Sequence, residues 1–436
     1  MTATTDCQWE VICSKLVQKG ILFCLYATPE FFYGMLNIDE VVDSKADKYG
    51  PPVWRLGFRP FFLAAGIFAV FSMAIWLASY GFSVKFGLSG IPASVWHAHE
   101  MLFGYVMAVV AGFLLTAIKN WTGEELLRGK ALALLFVLWL AARLLPLGGT
   151  FVPLEIVAVV DVAFLFFLSL ACLLPVLKVK QYKQIGIISK LFLLMGCNVI
   201  FYLGLLGILE EGVQWGLYSA LYMVIALVLV MLRRVMPMFI KNGVDGDVVL
   251  KNRVWIDYLS LLLLLGLWLS DVFAHTQQLT GVLAVTLTVL HAIRLAGWYT
   301  HKVWSKPLVW VLIVAYVFII FGFALIAASV YLGVSPFIYV HAFTVGGIGL
   351  LTIGMMSRVS LGHTGRSVFE PPVIVFWSLL VLTSGAVVRV VFPLFNMNLY
   401  IYWIGLSQVM WIIAFALFVY AYAPMLLSAR VDGKDG

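Results

Sequence analysis

Four histidines lie inside strongly apolar segments of the sequence, where an imidazole is expensive to bury. His97 and His99 open one such segment, His341 opens another, and His291 lies well inside a third. An ionisable side chain within a membrane span marks a functional site by default, and imidazole is the commonest metal ligand in proteins. These four histidines are therefore candidate metal ligands. Hydrogen bonding between packed helices is the alternative.

The spacing of His97 and His99 limits what the pair can do. Positions i and i+2 of a regular helix point about 200° apart, so the two rings cannot chelate one metal unless the helix is irregular. His97 shares its helix face with Glu100 and Met101. Glu100 lies one turn from His97, which makes it a candidate catalytic carboxylate that delivers protons or orients the ring.

Two arginines and several small residues extend this candidate site. Arg143 and Arg389 lie near helix ends, and arginine suits planar carboxylates, so they are candidates for binding the propionates of a haem. Ion pairs with Glu100, Glu155 or Asp161 are the alternative. A flat cofactor needs small residues beside it, although close helix packing requires them equally often. The glycines in question are Gly104, Gly112, Gly346, Gly347 and Gly349.

Composition identifies the environment of these residues. Of the 436 residues, 63% are hydrophobic and 11% are charged, whereas soluble proteins have about 45–50% apolar and about 25% charged residues. This balance excludes a cytosolic enzyme, a nucleic-acid-binding protein and a disordered scaffold. The five cysteines are odd in number and form no CxxC motif, which argues against a disulfide framework and an all-thiolate metal site.

The apolar runs predict an all-α, polytopic membrane protein. Each is close to the roughly 20 residues that a helix needs to cross a bilayer. Twelve runs therefore predict one transmembrane domain, residues 51–430, with about twelve helices. We interpret residues 1–50 as a cytoplasmic N-terminal extension, since their best apolar run, 21–28, is too short to span. The runs fall at 59–81, 94–118, 129–146, 153–177, 186–209, 213–240, 253–274, 279–300, 307–331, 335–357, 372–391 and 398–427.

Basic residues predict the orientation of these helices. Loops between an even helix and the next odd helix carry most of the lysines and arginines, for example Lys178, Lys180, Arg233 and Arg234. By the positive-inside rule these loops, and both termini, are cytoplasmic. His97, His99 and His341 then lie at a shared depth near the outer surface, which predicts that they belong to one site in the outer half of the membrane. His363 falls in an inner loop, where a solvated structural role is the first expectation.

Five stretches resemble the NnrS family of haem- and copper-containing membrane proteins of the bacterial nitric oxide response. The resemblance extends from about residue 52 to the end and leaves residues 1–50 without a counterpart. His291 and the residues that follow it are similar to that family's eighth helix. The stretches are WRLGFRPFF (54–62), WHAHEMLFGY (96–105), GFLLTAIKNWTG (112–123), RVMPMF (234–239), and the segment from His341 to MSRVSLGHTGR (356–366).

This resemblance implies a bacterial inner-membrane protein that carries haem b and copper and relieves nitrosative stress. It raises His363, within its GHTGR turn, to a candidate metal residue beside His97, His99, His291 and His341. The sequence contains no CxxCH motif, so any haem is held without thioether bonds.

Two functions remain open at this point. One is a redox enzyme that binds nitric oxide at haem and reduces it to nitrous oxide, with quinol as a plausible electron donor. The other is a transporter or sensor that binds a transition metal or haem without turnover. Twelve helices are a common count for transporters. A transporter, however, is expected to have helices broken by proline or glycine at corresponding positions of two halves. The prolines Pro175 and Pro237 lie near inner ends instead, which favours the enzyme.

Overall fold

The computed structural model describes residues 50–434. The interpretation of residues 1–50 as a cytoplasmic extension therefore lies outside the described residues, apart from Gly50. Twelve helices in the described part are long and apolar enough to cross a membrane, which confirms an all-α, multi-pass membrane fold. They are α1 Phe58–Phe82, α2 Ala93–Thr122, α3 Gly129–Phe151, α4 Leu154–Lys178, α5 Tyr182–Leu205, α6 Gly212–Gly243, α7 Val254–Ala274, α8 Gln277–Trp298, α9 Pro307–Leu332, α10 Pro336–His363, α11 Val373–Phe395 and α12 Met397–Leu427.

Proline and glycine set many of the helix boundaries. Pro92, Pro153 and Pro372 stand directly before α2, α4 and α11 in an extended conformation. Proline is tolerated at the start of a helix because the first turn does not need the N–H group that proline lacks. Gly123 and Gly333 end α2 and α9 with φ of 73° and 68°. This left-handed conformation is accessible to glycine without a steric penalty.

The helices divide into a central pair and a surrounding group. In their most apolar windows 83% of α2 and 78% of α10 are buried, against 33% for α3, α7 and α12. The peripheral helices leave large apolar side chains exposed, for example Leu134, Leu262 and Tyr420, as contact with lipid requires. We call the end of the bundle that holds His97 and His341 the outer end, following the predicted orientation.

Both central helices change geometry just after their histidine. In α2 the segment Glu100–Val106 is π-helical, and in α10 the segment Ala342–Gly349 is π-helical. A third π-helical segment, Leu269–Ala274, ends α7. Such segments are rare in proteins, and those that occur are often found at functional sites. They change the direction in which side chains leave the helix.

Candidate functional site

A cavity of about 480 Å³ lies at the outer end between α1, α2, α6, α10, α11 and α12. We call it the outer cavity. Its volume is within the range of about 300–1,000 Å³ that small-molecule and cofactor sites occupy. Its walls are mostly apolar, and a few polar side chains interrupt them. The main ones are His97, His341, Arg389, Tyr218, Tyr400 and Gln408.

His341 is oriented by the backbone of its own helix. Its Nδ1 atom lies 2.6 Å from the carbonyl oxygen of Phe337. Because a carbonyl oxygen only accepts, Nδ1 carries the hydrogen and Nε2 is left with a lone pair. Metal-binding histidines have this arrangement, in which one ring nitrogen donates to a carbonyl or carboxylate and the other binds the metal.

Arg389 lies directly against His341. Its Nη2 atom is 3.2 Å and 3.4 Å from the two ring nitrogens of His341, and it donates to the hydroxyl of Tyr400 at 3.2 Å. Its Nη1 atom is buried and has no hydrogen-bond partner within residues 50–434. The outer cavity therefore contains a cationic group with a donor to spare.

His97 and Gln408 also have unused polar atoms. The His97 ring stacks on Trp76 with centroids 4.8 Å apart and planes 8° apart, and its buried Nδ1 has no partner in the described part of the chain. The same is true of both amide atoms of Gln408, which is 5% exposed. An unsatisfied buried polar group costs about 1–3 kcal/mol, so these side chains are suited to a ligand.

His99 faces a different set of partners from His97, although only two residues separate them. Its Nδ1 lies 3.1 Å from Glu100 Oε1, and its Nε2 lies 2.9 Å from Asn198 Oδ1 and 3.2 Å from Asp161 Oδ2. Both ring nitrogens face oxygen acceptors, so neither is available to a metal in this arrangement. The structure thus brings His97 and His341 to one cavity and places His99 outside it.

Arg143 joins the two carboxylates beside His99. It donates to Glu100 Oε2 at 2.7 Å and to Asp161 Oδ1, and all three side chains are at most 1% exposed. The Asp161 carboxylate also accepts from Asn198 and Tyr202. Of the two interpretations of Arg143, the structure has ion pairing. This buried network links α2, α3, α4 and α5, and Arg143 does not line the outer cavity.

His291 and His363 lie apart from the outer cavity. His291 is fully buried on α8, where its Nδ1 lies 2.7 Å from the Tyr316 hydroxyl and its Nε2 has no partner in the described region. His363 is the last residue of α10 and packs against Phe58, with ring centroids 5.5 Å apart. His363 follows His341 by 22 positions, which correspond to about 33 Å of helix, so these two cannot share a metal.

The five glycines proposed as a bed for a flat cofactor are packing positions. A Cβ at Gly104 would lie 2.6 Å from Phe68, one at Gly112 would lie 2.7 Å from Phe62, and one at Gly349 would lie 2.8 Å from Trp411. Gly346 and Gly347 meet side chains of α9 in the same way. Neighbouring helices thus occupy the space that a cofactor would need.

The sequence reasoning missed several residues of this region. Trp76 and Gln408 line the outer cavity, and Asp271 lies near the outer end of α7. Gln408 and Asp271 could have been found as polar residues within apolar runs. Trp76 carries no such signal among fifteen tryptophans. Within residues 50–434, no group of three or more His, Cys, Asp and Glu side chains is arranged to hold a metal ion.

Comparison with known proteins agrees with the motifs. No curated protein matches the sequence. The family model described as NnrS protein matches residues 52–430, which includes all twelve spans and every side chain that lines the outer cavity. A match over most of the chain establishes the relationship, and the protein belongs to the NnrS family.

Proposed function

We propose that this protein binds nitric oxide at a haem in the outer cavity and reduces it to nitrous oxide in the bacterial inner membrane. Membership of the NnrS family supports a role in the nitric oxide response. The observation that carries the finer proposal is the hydrogen bond of His341 Nδ1 to the Phe337 carbonyl, which leaves the lone pair on Nε2. Arg389 Nη2 lies 3.4 Å from this Nε2, and a bound metal would displace it. A site within the membrane also suits nitric oxide, because this gas dissolves in the lipid bilayer.

The outer cavity meets the requirements of a haem b in three respects. His341 would hold the haem iron through Nε2, and Arg389, whose Nη1 has no partner within residues 50–434, would bind a propionate. Trp76 and Trp411 supply flat apolar walls. When bound, the haem would supply iron that binds nitric oxide and accepts single electrons.

Copper is assigned to the α1 and α2 side of the same cavity. His97 Nδ1 is buried without a hydrogen-bond partner in the described part of the chain, and His97 lines the cavity together with Met73 and Met101. Thioethers and imidazole are suitable ligands for Cu(I). Because Met101 follows His97 by one helical turn, the two donors come from one face of α2.

The other candidate residues have different roles in this proposal. Both oxygens of Glu100 are bound, one to Arg143 and one to His99, so we assign Glu100 to fixing the start of the π-helical segment of α2 rather than to proton delivery. Gln408 offers an amide donor to a bound ligand. The apolar walls exclude bulk water, and a reductant of the quinol class supplies electrons.

An absorption spectrum of purified protein, followed by gas analysis, tests this function. We expect a haem Soret band that shifts when nitric oxide is added to the reduced protein, and nitrous oxide that accumulates over many turnovers with excess reductant. A spectral shift without nitrous oxide production would indicate that the protein senses or scavenges nitric oxide and does not turn it over. A preparation from haem-replete cells without haem would refute the cofactor assignment and leave transport as the better interpretation.

A further inference from the structure

A second, smaller cavity of about 230 Å³ lies at the outer end, between α7, α8, α9 and α10. We call it the polar pocket, since most of its lining side chains carry hydrogen-bonding groups. These are Asp271, His275, Gln277, Thr280, Ser329 and Tyr339. His275 and Gln277 are exposed, so the polar pocket is in contact with the aqueous phase at this end of the bundle.

Asp271 differs from the other carboxylates of the spans that are not exposed, whereas Glu155 at the start of α4 is exposed. Glu100 and Asp161 are paired with Arg143, and Asp257 is paired with Arg233 and Arg294. Asp271 has no ion pair within the described residues, and its Oδ2 accepts a hydrogen bond of 2.8 Å from the Tyr222 hydroxyl. An unpaired carboxylate inside a span is typical of a proton pathway.

The partner of Asp271 lies on a helix that also lines the outer cavity. Tyr222 is 2% exposed, and Tyr218 precedes it by one turn on the same face of α6. Tyr218 lines the outer cavity, so the face of α6 that carries Tyr222 continues to this cavity. On the α10 side, Tyr339 lines the polar pocket and His341 lines the outer cavity.

The reaction proposed above consumes protons at the outer cavity. Two molecules of nitric oxide, two electrons and two protons give nitrous oxide and water. One N–N bond forms, one N–O bond breaks, and the released oxygen leaves as water with both protons. The electrons come from the quinol-class reductant, but no Asp or Glu side chain of the described residues lines the outer cavity to supply the protons.

We propose that Asp271 takes up protons from the polar pocket and passes them through Tyr222 and Tyr218 to the outer cavity. The need for protons rests on the proposed function, whereas the arrangement of Asp271, Tyr222 and Tyr218 does not depend on it. The titratable groups that face Asp271 are Tyr218 and Tyr222 from α6, Tyr339 from α10 and His275 after α7. None of them is a fixed cation, so Asp271 is free to gain and lose a proton.

The first test measures turnover in purified, haem-loaded protein with excess quinol. Asp271→Asn keeps the shape and removes the titratable group, so nitrous oxide production is expected to fall at least about tenfold. Its haem content, melting temperature and rate of nitric oxide binding are expected to stay unchanged. Asp271→Glu restores part of the rate. Asp247→Asn, which changes an exposed inner-loop carboxylate, is the matched control. An Asp271→Asn variant with the wild-type rate overturns the proposal.

The second test does not depend on turnover. Infrared difference spectra between acidic and basic pH are expected to contain a protonated-carboxyl band that shifts in D₂O and disappears in Asp271→Asn. Tyr222→Phe is expected to shift this band, because it removes the hydrogen bond to Oδ2. If the wild type makes no nitrous oxide, the proposed function fails. The carboxyl band still shows whether Asp271 gains and loses a proton. Its absence overturns the proton pathway whatever the turnover.

Discussion

Arg143 on α3 donates a hydrogen bond of 2.7 Å to Glu100 at the first residue of the π-helical segment of α2. The same guanidinium binds Asp161 on α4. One buried cation therefore holds two carboxylates and fixes the point at which α2 changes geometry. Because His97 lies one turn earlier, this network determines how His97 is presented to the outer cavity without itself lining it.

Removal of the shared cation is expected to destabilise the fold. Arg143→Met leaves Glu100 and Asp161 buried without their partner, and breaking a buried pair in this way costs about 3–5 kcal/mol. Thermal unfolding of the purified protein in detergent measures the loss. Arg253→Met, at an exposed loop arginine, is the control and should change stability by less than about 0.5 kcal/mol. Equal melting temperatures for the two variants would contradict the network.

His99 is expected to affect stability and not haem content. His99→Ala leaves Asn198 Oδ1 and Glu100 Oε1 without a donor, at a cost of about 1–3 kcal/mol. We expect a lower melting temperature with an unchanged ratio of haem to protein, measured by absorption after extraction. Loss of haem at an unchanged melting temperature would instead make His99 a ligand.

The central glycines provide a test of close helix packing. A Cβ at Gly104 would lie 2.6 Å from Phe68 and 2.8 Å from Glu100 Oε2, so Gly104→Ala should destabilise the protein by about 1–3 kcal/mol. Gly196 on α5 has nothing within 4 Å of a built Cβ. Gly196→Ala should be neutral or stabilise the protein by up to about 1 kcal/mol. The reverse order of the two melting temperatures would be incompatible with this packing.

Arg389 is expected to contribute to haem affinity through its charge. A hydrogen bond to a charged group contributes about 1.5–3 kcal/mol, so Arg389→Met should weaken haem binding about tenfold or more. Arg389→Lys should recover part of the affinity. Haem titration into apoprotein gives the dissociation constants, with Arg253→Met at an exposed loop arginine as the control. Equal affinities for wild type and Arg389→Met would exclude the propionate contact.

The sequence predicts the number and class of the helices well, because a bilayer imposes a minimum apolar length. It predicts helix ends less well. The tenth run was expected to end at 357, whereas α10 continues to His363. Hydropathy falls where polar residues such as Arg358 and Ser360 begin. The backbone hydrogen bonds of the helix nevertheless continue through these residues to His363. His363 is therefore a helix-terminal residue and not a loop residue.

The candidate site could be predicted only in part. The shared depth of His97 and His341 follows from their position in apolar runs, and the two do line one cavity. The sequence places His99 at the same depth and predicts it in the same site, whereas the structure turns its ring to Glu100, Asn198 and Asp161. No residue pattern predicts the π-helical segments of α2 and α10, or that Arg143 pairs with carboxylates while Arg389 does not. These depend on which helices become neighbours.

The most direct test of the account is the haem content of a His341→Gly variant. We expect this variant to insert into the membrane but to lose most of its haem, and imidazole added to the buffer should restore a haem spectrum by replacing the missing ring. His301→Gly, at an exposed inner-side histidine, should retain wild-type haem content. A His341→Gly variant with full haem content and an unchanged spectrum would contradict the assignment of the outer cavity as the haem site.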